Sequence, residues 1–410
     1  LHLPDVVALT IFVIVSMSGI APQPARAASG LELFDEAWQI FDRNYSYFTL
    51  KGIDWDTVRD NQRQSFNQNM DGESFAIQFN EVLAQLHDWH VWVRTPSNDY
   101  LGFFEEYATN YPPKLLTRYS AGKDYQSIGN NVIYHALVDE NIAHVVIESL
   151  NTDKFAQISE ADIEALFARY ENTRGMIIDI RANNGGNEKN AVLFASRFTD
   201  RERVFGYVKY RIPGDDHNSF DELITKTLSP APIYYDKPVA CLIGKRCMSS
   251  AEWFALMMRS CPNVTLIGDT TRGASANPAT FEMSGNIGLG VSSWIAYTSD
   301  MQPFEDIGIT PDVLINPEDS YDDERDYVLE KAIQVITKTS PEIPPVSSCL
   351  RFDQEFSFTV PCVSVSGNCF QLSFGFNPDF PPFTWHVKDF EMSQNKENCL
   401  EMAPDFSFNL

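Results

Sequence analysis

The sequence predicts an α/β protein with a helical domain before its core and a small all-β domain after it. Three observations predict this fold class. Residues 31–86 carry apolar side chains at helical spacing, residues 142–337 alternate short apolar runs with helical stretches, and residues beyond 345 alternate apolar with polar side chains. Strands that alternate with helices are typical of a largely parallel sheet covered by helices.

The composition is that of a globular protein. The chain has 410 residues, of which 44% are hydrophobic and 21% charged, and this length allows two or three domains. The net charge is −25, but the acidic residues are scattered and no basic block exists, which argues against a nucleic-acid partner. No CxxC pair or histidine-rich cluster is present, so neither a metal nor another cofactor is predicted.

The first residues have the pattern of an export signal. Residues 6–20 are almost entirely apolar and precede Pro22, Pro24 and a run of small residues. This predicts a signal peptide over 1–28, cleaved near Ala27 or Ala28, and a secreted or periplasmic protein without stable membrane insertion after cleavage. The alternative is an uncleaved anchor, for which the apolar run is short.

The seven cysteines predict disulfides in an exported protein. Four of them, Cys349, Cys362, Cys369 and Cys399, lie in the last 62 residues and predict one or two disulfides there. Cys247 and Cys261 are a further candidate pair, and Cys241 is expected to be a buried free thiol.

In chain order, the apolar spacing divides the protein into four parts after the signal peptide. Helices over 31–48, from Asp54 onward and over 73–86 form an N-terminal helical domain (29–95), and a strand begins near His90. Residues 96–140 form a β-rich linker or subdomain with strand candidates at 114–118 and 131–137. The α/β core (141–339) has strands near 142–150, 175–180, 238–243 and 264–267, helices near 159–170, 191–198, 251–258 and 323–337, and a hairpin over 280–296. A proline-rich linker then leads into the C-terminal β domain (340–410).

One strand–turn–helix segment, Cys241–Arg259, places two serines where chemistry is feasible. Ser249 and Ser250 lie in the turn, and a helix begins beside them. Such a turn can present a hydroxyl to a cleft and direct backbone N–H groups at an oxyanion. A Ser-Ser-x-Glu run taken alone is more often a helix cap.

Three other places supply the partners that a serine nucleophile requires. His90 is a candidate base, Glu305 a candidate carboxylate to orient it, and Gly185 with Gly186 a candidate oxyanion loop. Each has an ordinary structural explanation: a buried histidine, a surface glutamate, a tight βα turn. Their spacing in the sequence does not show that they meet.

Five blocks in fixed order resemble peptidase family S41, which contains the C-terminal processing proteases and the tricorn-type proteases. They are L-x-D-x-H-x-x-V (86–93), I-I-D-I-R-x-N-x-G-G (177–186), S-S-A-E-x-F-A (249–255), L-I-G-D-x-T-x-G (266–273) and E-x-x-G-I-x-P-D (305–312). Trp38, Tyr45 and the G-I-D-W stretch (52–55) also resemble members of this family. The resemblance implies a ClpP/crotonase-like core.

The resemblance also implies roles for individual residues. Ser249 matches the nucleophile, and the N–H groups of Ser250 and of Gly185 or Gly186 match the oxyanion hole. The processing proteases use a lysine base directly after a Thr-x-Gly turn, but here Ala274 follows that turn. His90 and Glu305 match the histidine and glutamate of the tricorn-like branch instead, which implies a Ser-His-Glu arrangement.

Other polar residues near these blocks receive supporting or competing roles. Asp306 and Asp312 compete with Glu305 for the role of the orienting carboxylate. His87 and Asp88 are expected to support the turn before His90, and Asp179 and Arg181 to fix the glycine loop.

The resemblance leaves three functions open. The first is an exported serine peptidase acting on peptides or proteins, without a PDZ domain because fewer than 50 residues separate Thr95 from Ile142. The second is a catalytically silent binder of hydrophobic ligands, since the fold also occurs in retinoid-binding modules. The third is an esterase with the same three residues. The oligomeric state is not predicted.

Overall fold

A computed structural model describes residues 28–120, 124–139 and 141–337, and the backbone of the strands that lie between residues 357 and 401. The chain forms two compact units, Leu1–Ser340 and Pro341–Leu410. The proposed signal peptide and the side chains of the four C-terminal cysteines lie outside the described residues. Within the described residues, no helix combines the length and hydropathy needed to cross a bilayer.

Helices predominate over residues 30–84 and alternate with strands after residue 150. Several begin at side chains that accept hydrogen bonds from the first turn: Ser29 and Ser159 form capping boxes, and Asp54 and Asp71 cap the third and fourth helices. The helices are α1 (Gly30–Asn44), α2 (Phe48–Lys51), α3 (Trp55–Gln62), α4 (Gly72–Ala84), α5 (Leu116–Tyr119), α6 (Thr152–Phe155), α7 (Glu160–Arg169), α8 (Glu188–Ala195), α9 (Ser250–Ser260) and α10 (Tyr327–Thr337).

The strands of the first unit form three sheets. They are β1 (Trp92–Arg94), β2 (Asp99–Leu101), β3 (Gln126–Ile128), β4 (Ile133–Val138), β5 (Ile142–Ile147), β6 (Met176–Asp179), β7 (Arg203–Tyr210), β8 (Ile224–Leu228), β9 (Val239–Ile243), β10 (Val264–Gly268), β11 (Pro278–Met283), β12 (Ile287–Ser292), β13 (Trp294–Thr298) and β14 (Val313–Leu314).

The central sheet has seven strands in the order β14-β10-β9-β6-β5-β4-β3. The strands from β14 to β5 are parallel, whereas β4 and β3 are antiparallel additions at one edge. Strands β5, β6 and β9 are buried along their whole length, as expected for a sheet covered on both faces. The predicted α/β fold is confirmed.

A second sheet, in the order β11-β12-β1-β2, packs against the N-terminal helices. Phe34 and Phe41 of α1 and Phe75 and Phe79 of α4 share one apolar core with β1 and β12. The N-terminal helices therefore hold β1, and with it the segment that contains His90. The third sheet, β13-β7-β8, was not predicted from the sequence, since its strands are only half buried and lack a clear period of two.

Two further predictions are wrong. Residues 114–118 form a short 3₁₀ turn and the start of α5 rather than a strand. Pro112 and Pro113 open this turn with the fixed φ that favours a helical start. The proposed pairing of Cys247 with Cys261 is also wrong, because both are buried free thiols, as is Cys241. The Cys247 thiol donates to the carbonyl of Ile180, and the Cys261 thiol to the carbonyl of Met257.

The second unit has the predicted all-β character. Its strands are β15 (Ser357–Val365), β16 (Asn368–Phe376), β17 (Trp385–Ser393) and β18 (Leu400–Glu401), in the order β17-β16-β15-β18. The pairs β15–β16 and β16–β17 are antiparallel.

Candidate active site

The candidate residues lie beyond the carboxyl ends of three adjacent parallel strands. The glycine loop follows β6, the turn with Ser249 follows β9, and the loop 271–274 follows β10. In open α/β sheets, ligands bind at this edge because the loops after neighbouring strands converge there. The fold thus brings together three of the sequence blocks that the spacing alone could not place.

Ser249 occupies the cap position of α9 but does not cap the helix. Its φ and ψ are 55° and −128°, and its hydroxyl accepts no hydrogen bond from the first turn. Its N–H donates to the carbonyl of Ala274 at 2.8 Å, which ties the turn to the loop after β10. A non-glycine residue held in this conformation is strained, and such strain clusters at functional sites. The hydroxyl is thereby left available for other chemistry.

Glu252, three residues later, holds the loop after β10 against the helix. One carboxylate oxygen accepts hydrogen bonds from the Thr271 hydroxyl and the Gly273 N–H, at 2.6 and 2.7 Å, and the other from the Ala274 N–H at 3.0 Å. The side chain is fully buried, and burial raises the pKa of Glu252 to about 7. The glutamate of the S-S-A-E block is therefore a structural anchor for the loop that receives the Ser249 N–H.

The glycine loop packs directly on the serine turn. A Cβ atom on Gly185 would lie 2.7 Å from the Met248 carbonyl oxygen and 2.9 Å from the Ser249 Cβ, and φ of this glycine is +99°. Only glycine allows this approach without a shift of the backbone. The Ser250 hydroxyl donates to the Gly186 carbonyl at 2.7 Å and joins the two turns.

The backbone donors of this loop are not equivalent. The Gly185 N–H donates to Asn183 Oδ1 at 2.8 Å, so this group, a candidate from the sequence, is already occupied. The N–H groups of Gly186 and Ser250 donate no hydrogen bond within the described part of the chain. These two groups remain as candidate oxyanion donors.

His90 lies between the N-terminal helices and the serine turn. Its N–H donates to Asp88 Oδ1 at 2.8 Å, and the other oxygen of Asp88 accepts from the Ser292 hydroxyl at 2.7 Å, so Asp88 fixes the backbone of the histidine. Neither ring nitrogen has a hydrogen-bond partner among the described residues. Burial lowers the pKa of His90, and the positive charges of Lys51 and Arg272 lower it further, against an opposing effect of Asp88. The imidazole is therefore neutral at neutral pH, the state that a general base requires.

Glu305 is buried in a cluster of charges behind the histidine. Its Oε2 accepts hydrogen bonds from the N–H and the hydroxyl of Ser275, both at 2.8 Å, and its Oε1 lies 3.3 Å from Lys51 Nζ. Burial and the neighbouring charge of Asp88 raise the pKa of Glu305 to about 8, although Lys51 acts in the opposite direction. No hydrogen bond joins Glu305 to His90 in this structure.

The competing carboxylates have other partners. Asp306 is largely exposed and accepts two hydrogen bonds of 2.8 Å from Lys51. Asp312 accepts from the Leu266 N–H at 2.7 Å and so fixes β10. Of the three acidic candidates, Glu305 alone has a buried carboxylate oxygen without a hydrogen-bond partner among the described residues.

Asp179 and Arg181 support the site from below the glycine loop. Arg181 is fully buried and forms paired contacts with Asp179 (2.7 and 3.0 Å) and Asp326 (2.8 and 3.0 Å). The guanidinium holds the pKa of Asp179 well below its usual range. Asn183 continues this support, because its amide donates to the Ile147 carbonyl while its oxygen receives the Gly185 N–H.

A cavity of about 780 Å³ opens over the serine turn. Ser249, Ser250, His90 and Gly186 all line it, whereas Glu305 and Gly185 do not. Its opposite wall is aromatic: Lys226 Nζ lies 5.5 and 5.7 Å from the rings of Trp253 and Trp294 and pairs with Glu188 at 2.7 Å. The cavity thus combines a hydroxyl, an imidazole and two free backbone donors with an apolar wall.

Two family models match the first unit of the chain. The model of peptidase family S41 matches residues 141–315, and that of the tricorn protease C1 domain matches residues 27–84. The S41 match contains Ser249 and Glu305 together with the glycine loop, in the arrangement described above.

The chain is similar to peptidase family S41 over residues 141–315. His90 lies between the two matched ranges, in the segment 85–140 that neither family model covers. The predicted family is confirmed, and the N-terminal helices that carry Lys51 belong to the tricorn-type match.

Two curated relatives are processing proteases. The carboxy-terminal processing protease CtpA of Bacillus subtilis is 26% identical over 183 residues, 44% of this chain and 36% of its own length. The chloroplastic carboxyl-terminal-processing peptidase 2 of Arabidopsis thaliana is 26% identical over 171 residues, 42% of this chain and 31% of its own length. The chain thus spans about a third of the curated relatives that it matches.

Two solved structures are similar to this chain over about three quarters of its length. A putative peptidase from Parabacteroides merdae superposes with a TM-score of 0.67 and 26% identity, over 75% of this chain and 97% of the other. Mature CPAF superposes with a TM-score of 0.58 and 11% identity, over 76% of this chain and 98% of the other. The second similarity concerns the fold alone.

Sequence reasoning missed three residues that build the site. Lys51 contacts Glu305, and Ser275 donates two hydrogen bonds to Glu305. The side chain of Asn183 accepts a hydrogen bond from the Gly185 N–H. Asn183 lies inside one of the S41 blocks, where an asparagine two residues before a glycine is a sign of a side-chain-to-backbone bond. Lys51 gives no such sign, because 254 residues separate it from Glu305.

Proposed function

We propose that this chain is a serine peptidase in which Ser249 is the nucleophile and His90 the general base. The observation that carries the proposal is that Ser249 and His90 line one cavity while both the hydroxyl and the imidazole are without structural partners among the described residues. A serine used only as a helix cap would have its hydroxyl engaged by the first turn of the helix.

The reaction follows from these positions. The Ser249 hydroxyl attacks a peptide carbonyl carbon, and its proton passes to His90, which is neutral at neutral pH because its pKa is lowered. The N–H groups of Gly186 and Ser250 stabilise the oxyanion that forms. The imidazolium then gives its proton to the leaving amine, and water hydrolyses the acyl-enzyme by the same steps.

Glu305 has the role of an electrostatic partner in this proposal. Lys51 links Glu305 to His90 electrostatically. Its Nζ lies 3.3 Å from Glu305 Oε1, and its positive charge lowers the pKa of His90. A positive charge on the imidazole during catalysis is stabilised chiefly by the buried carboxylate of Asp88, and by Glu305 once it is ionised at higher pH, because the pKa of Glu305 is raised to about 8. Their action is through charge, because neither is hydrogen-bonded to the ring in this structure.

The substrate in this proposal is a peptide or protein with an apolar side chain near the cleaved bond. Trp253 and Trp294 supply an apolar wall, and Lys226 lies across both rings. We further propose that the enzyme acts after export, on the strength of the apolar run 6–20, and without a cofactor.

A fluorophosphonate probe tests the nucleophile. We expect wild type and Ser250→Ala to be labelled and Ser249→Ala to remain unlabelled, because the alanine at 250 retains its backbone N–H. Labelling is read by intact-protein mass spectrometry, and the labelled residue by peptide mapping. Equal labelling of wild type and Ser249→Ala would exclude Ser249 as the nucleophile. Labelling accompanied by ester turnover without cleavage of any peptide would identify an esterase instead.

The pH dependence of activity tests the base. Protonation of His90 abolishes general-base catalysis, so kcat/KM should fall as the pH drops through the histidine pKa. Because burial lowers that pKa, the acid limb should lie below the ordinary histidine value of about 6.5. Measurement of kcat/KM between pH 4 and 8 on a neutral peptide checks this. An acid limb at or above the ordinary value would contradict the assignment of a buried neutral imidazole.

A further inference from the structure

A second cavity, of about 350 Å³, lies beside the active site and shares no lining residue with it. Trp89, Phe103, Tyr107, Lys245 and Arg272 line it. Trp89 directly precedes His90 in the sequence, and the Arg272 N–H donates to the carbonyl of Cys247, two residues before Ser249. The catalytic turn therefore separates the two cavities.

Arg272 is the unusual residue of this cavity. Its guanidinium lies between two aromatic rings, 4.1 Å from the centre of Trp89 and 4.0 Å from that of Tyr107, and only 7% of the residue is exposed. Nε donates to the Lys245 carbonyl at 3.2 Å, but Nη2 is buried without a partner. Within the described ranges, no carboxylate lies within 4.0 Å of this guanidinium.

A buried guanidinium without a carboxylate is energetically unfavourable, because it has lost water without gaining an opposite charge. The two aromatic faces compensate in part. Asp306 also lines the cavity, but its carboxylate is taken by Lys51. Glu105 lines it too and is exposed, without an ion pair among the described residues. The cavity thus has a cation whose preferred partner, a planar carboxylate, is missing.

We propose that this cavity binds a carboxylate group of a peptide through Arg272, with an adjoining apolar side chain against Phe103 and Tyr107. That the ligand is a peptide rests on the proposed peptidase function; that it carries a carboxylate rests on Arg272 and its surroundings alone. The carboxylate has two possible sources with the same chemistry, the end of a chain or an Asp or Glu side chain.

Binding in this cavity would act on catalysis through His90. The charge of Arg272 is one of the influences that lower the pKa of that histidine. A bound carboxylate neutralises this charge and so raises the histidine pKa, which moves the acid limb of the activity profile toward higher pH. The geometry of the cavity itself supports its role as a subsite for acidic peptides.

The test uses the full chain with Ser249→Ala, so that peptides bind without being cleaved. Three blocked peptides are compared by calorimetry: acetyl-Ala-Phe-Ala with a free terminus, the same peptide as its amide, and acetyl-Ala-Phe-Asp-amide. We expect at least one carboxylate peptide to bind about tenfold or more tightly than the neutral amide, as for a charge-assisted hydrogen bond. Whichever carboxylate peptide has the advantage identifies the source.

Two added substitutions assign the effect to the cavity. In the Ser249→Ala background, Arg272→Met should abolish the preference for a carboxylate, whereas Arg246→Met should keep it. Arg246 is an exposed arginine in the turn after β9 and does not line the cavity, so its variant loses the same charge without changing the cavity. Arg272→Lys retains the charge but not the planar fork and should keep only part of the preference, which covers the case that Arg272→Met does not fold.

Equal affinity for the acid and amide peptides, or an unchanged preference in Arg272→Met, would overturn the proposal. A preference lost equally in Arg246→Met would also overturn it, since the effect would then be one of net charge. These outcomes are independent of hydrolysis: failure of the serine mechanism appears in probe labelling, and failure of the subsite appears in binding to the inactive protein.

Discussion

Ser249→Ala, His90→Ala and the double variant should all lose the same activity, about 10⁶-fold in kcat. His90 accelerates the reaction only by accepting the proton of the Ser249 hydroxyl. Removal of either residue therefore removes the contribution of both, and a second substitution costs nothing more. What remains is the contribution of the cavity and of the Gly186 and Ser250 N–H groups, about 10³-fold over the uncatalysed reaction. We therefore expect a strongly non-additive cycle rather than two independent losses.

Single-turnover and steady-state rates on one fluorogenic peptide measure this cycle. Asn190→Ala serves as a matched control near the glycine loop, because its side chain is bonded to the Leu150 carbonyl and does not line the cavity. Additive losses would mean that Ser249 and His90 do not act together. If His90→Ala lost less than about tenfold, well short of the usual effect of a general base, another base would serve Ser249.

The sequence was sufficient for the fold class and for four of the residues that line the cavity of the candidate active site, but not for its aromatic residues Trp253 and Trp294. Ser249, Ser250 and Gly186 follow adjacent parallel strands, and the alternation of strands and helices predicted that their loops would share one edge of the sheet. His90 was less certain, because it reaches the cavity only through the packing of β1 on β12, a pair separated by almost 200 residues in the sequence.

The residues that sequence reasoning missed are those that act through burial. Lys51 reads as the last residue of a short surface helix, yet its side chain is only 6% exposed, because it reaches the loop that holds Glu305 and Asp306. Ser275 lies in a loop without a regular pattern, and its role depends on the depth at which Glu305 is buried. Periodicity reports which face of an element is apolar, and it does not report which polar side chain is desolvated.

The backbone donors illustrate a second limit of the sequence. Gly185 and Gly186 are equivalent in the motif, but the Gly185 N–H donates a hydrogen bond to Asn183, whereas the Gly186 N–H donates none among the described residues. Which N–H is free depends on a hydrogen bond from Gly185 to the side chain two residues earlier. That bond can be identified only when the backbone conformation of the loop is known. Of the three proposed oxyanion donors, the structure therefore leaves Gly186 and Ser250 with N–H groups that donate no hydrogen bond among the described residues.

Lys51→Met should destabilise the protein by about 1 kcal/mol at pH 8.5, because it removes the cation that stabilises the ionised form of Glu305, a form that predominates only above the pKa of about 8. The side chains of Lys51 and Glu305 are 6% and 1% exposed, so solvent does little to screen the remaining charge. Methionine keeps the length and apolar volume of the lysine stem, and the effect is thus one of charge. Urea unfolding of the full chain measures the loss.

The destabilisation should be smaller at pH 5.5. Burial already raises the pKa of Glu305 to about 8, and loss of Lys51 raises it further. Between the unfolded value of about 4.3 and this raised value, the folded state binds more protons than the unfolded state, so the free energy of unfolding falls as the pH rises. At pH 5.5 the Glu305 carboxyl is protonated with or without Lys51, so loss of the lysine charge costs little, whereas at pH 8.5 the wild-type carboxyl is mostly ionised and depends on that charge.

The second substitution Glu305→Gln separates this explanation from a loss of packing. The double variant Lys51→Met/Glu305→Gln should be more stable than Lys51→Met at pH 8.5 and nearly independent of pH over this range, because the buried charge is gone. Lys114→Met, at an exposed lysine, should leave the unfolding free energy within about 0.5 kcal/mol of wild type at both pH values. If Lys51→Met lost the same stability at both pH values and gained none from Glu305→Gln, the charge of Glu305 would not be what Lys51 compensates. The lysine would then be a packing residue, and the buried carboxylate behind His90 would be held by Ser275 alone.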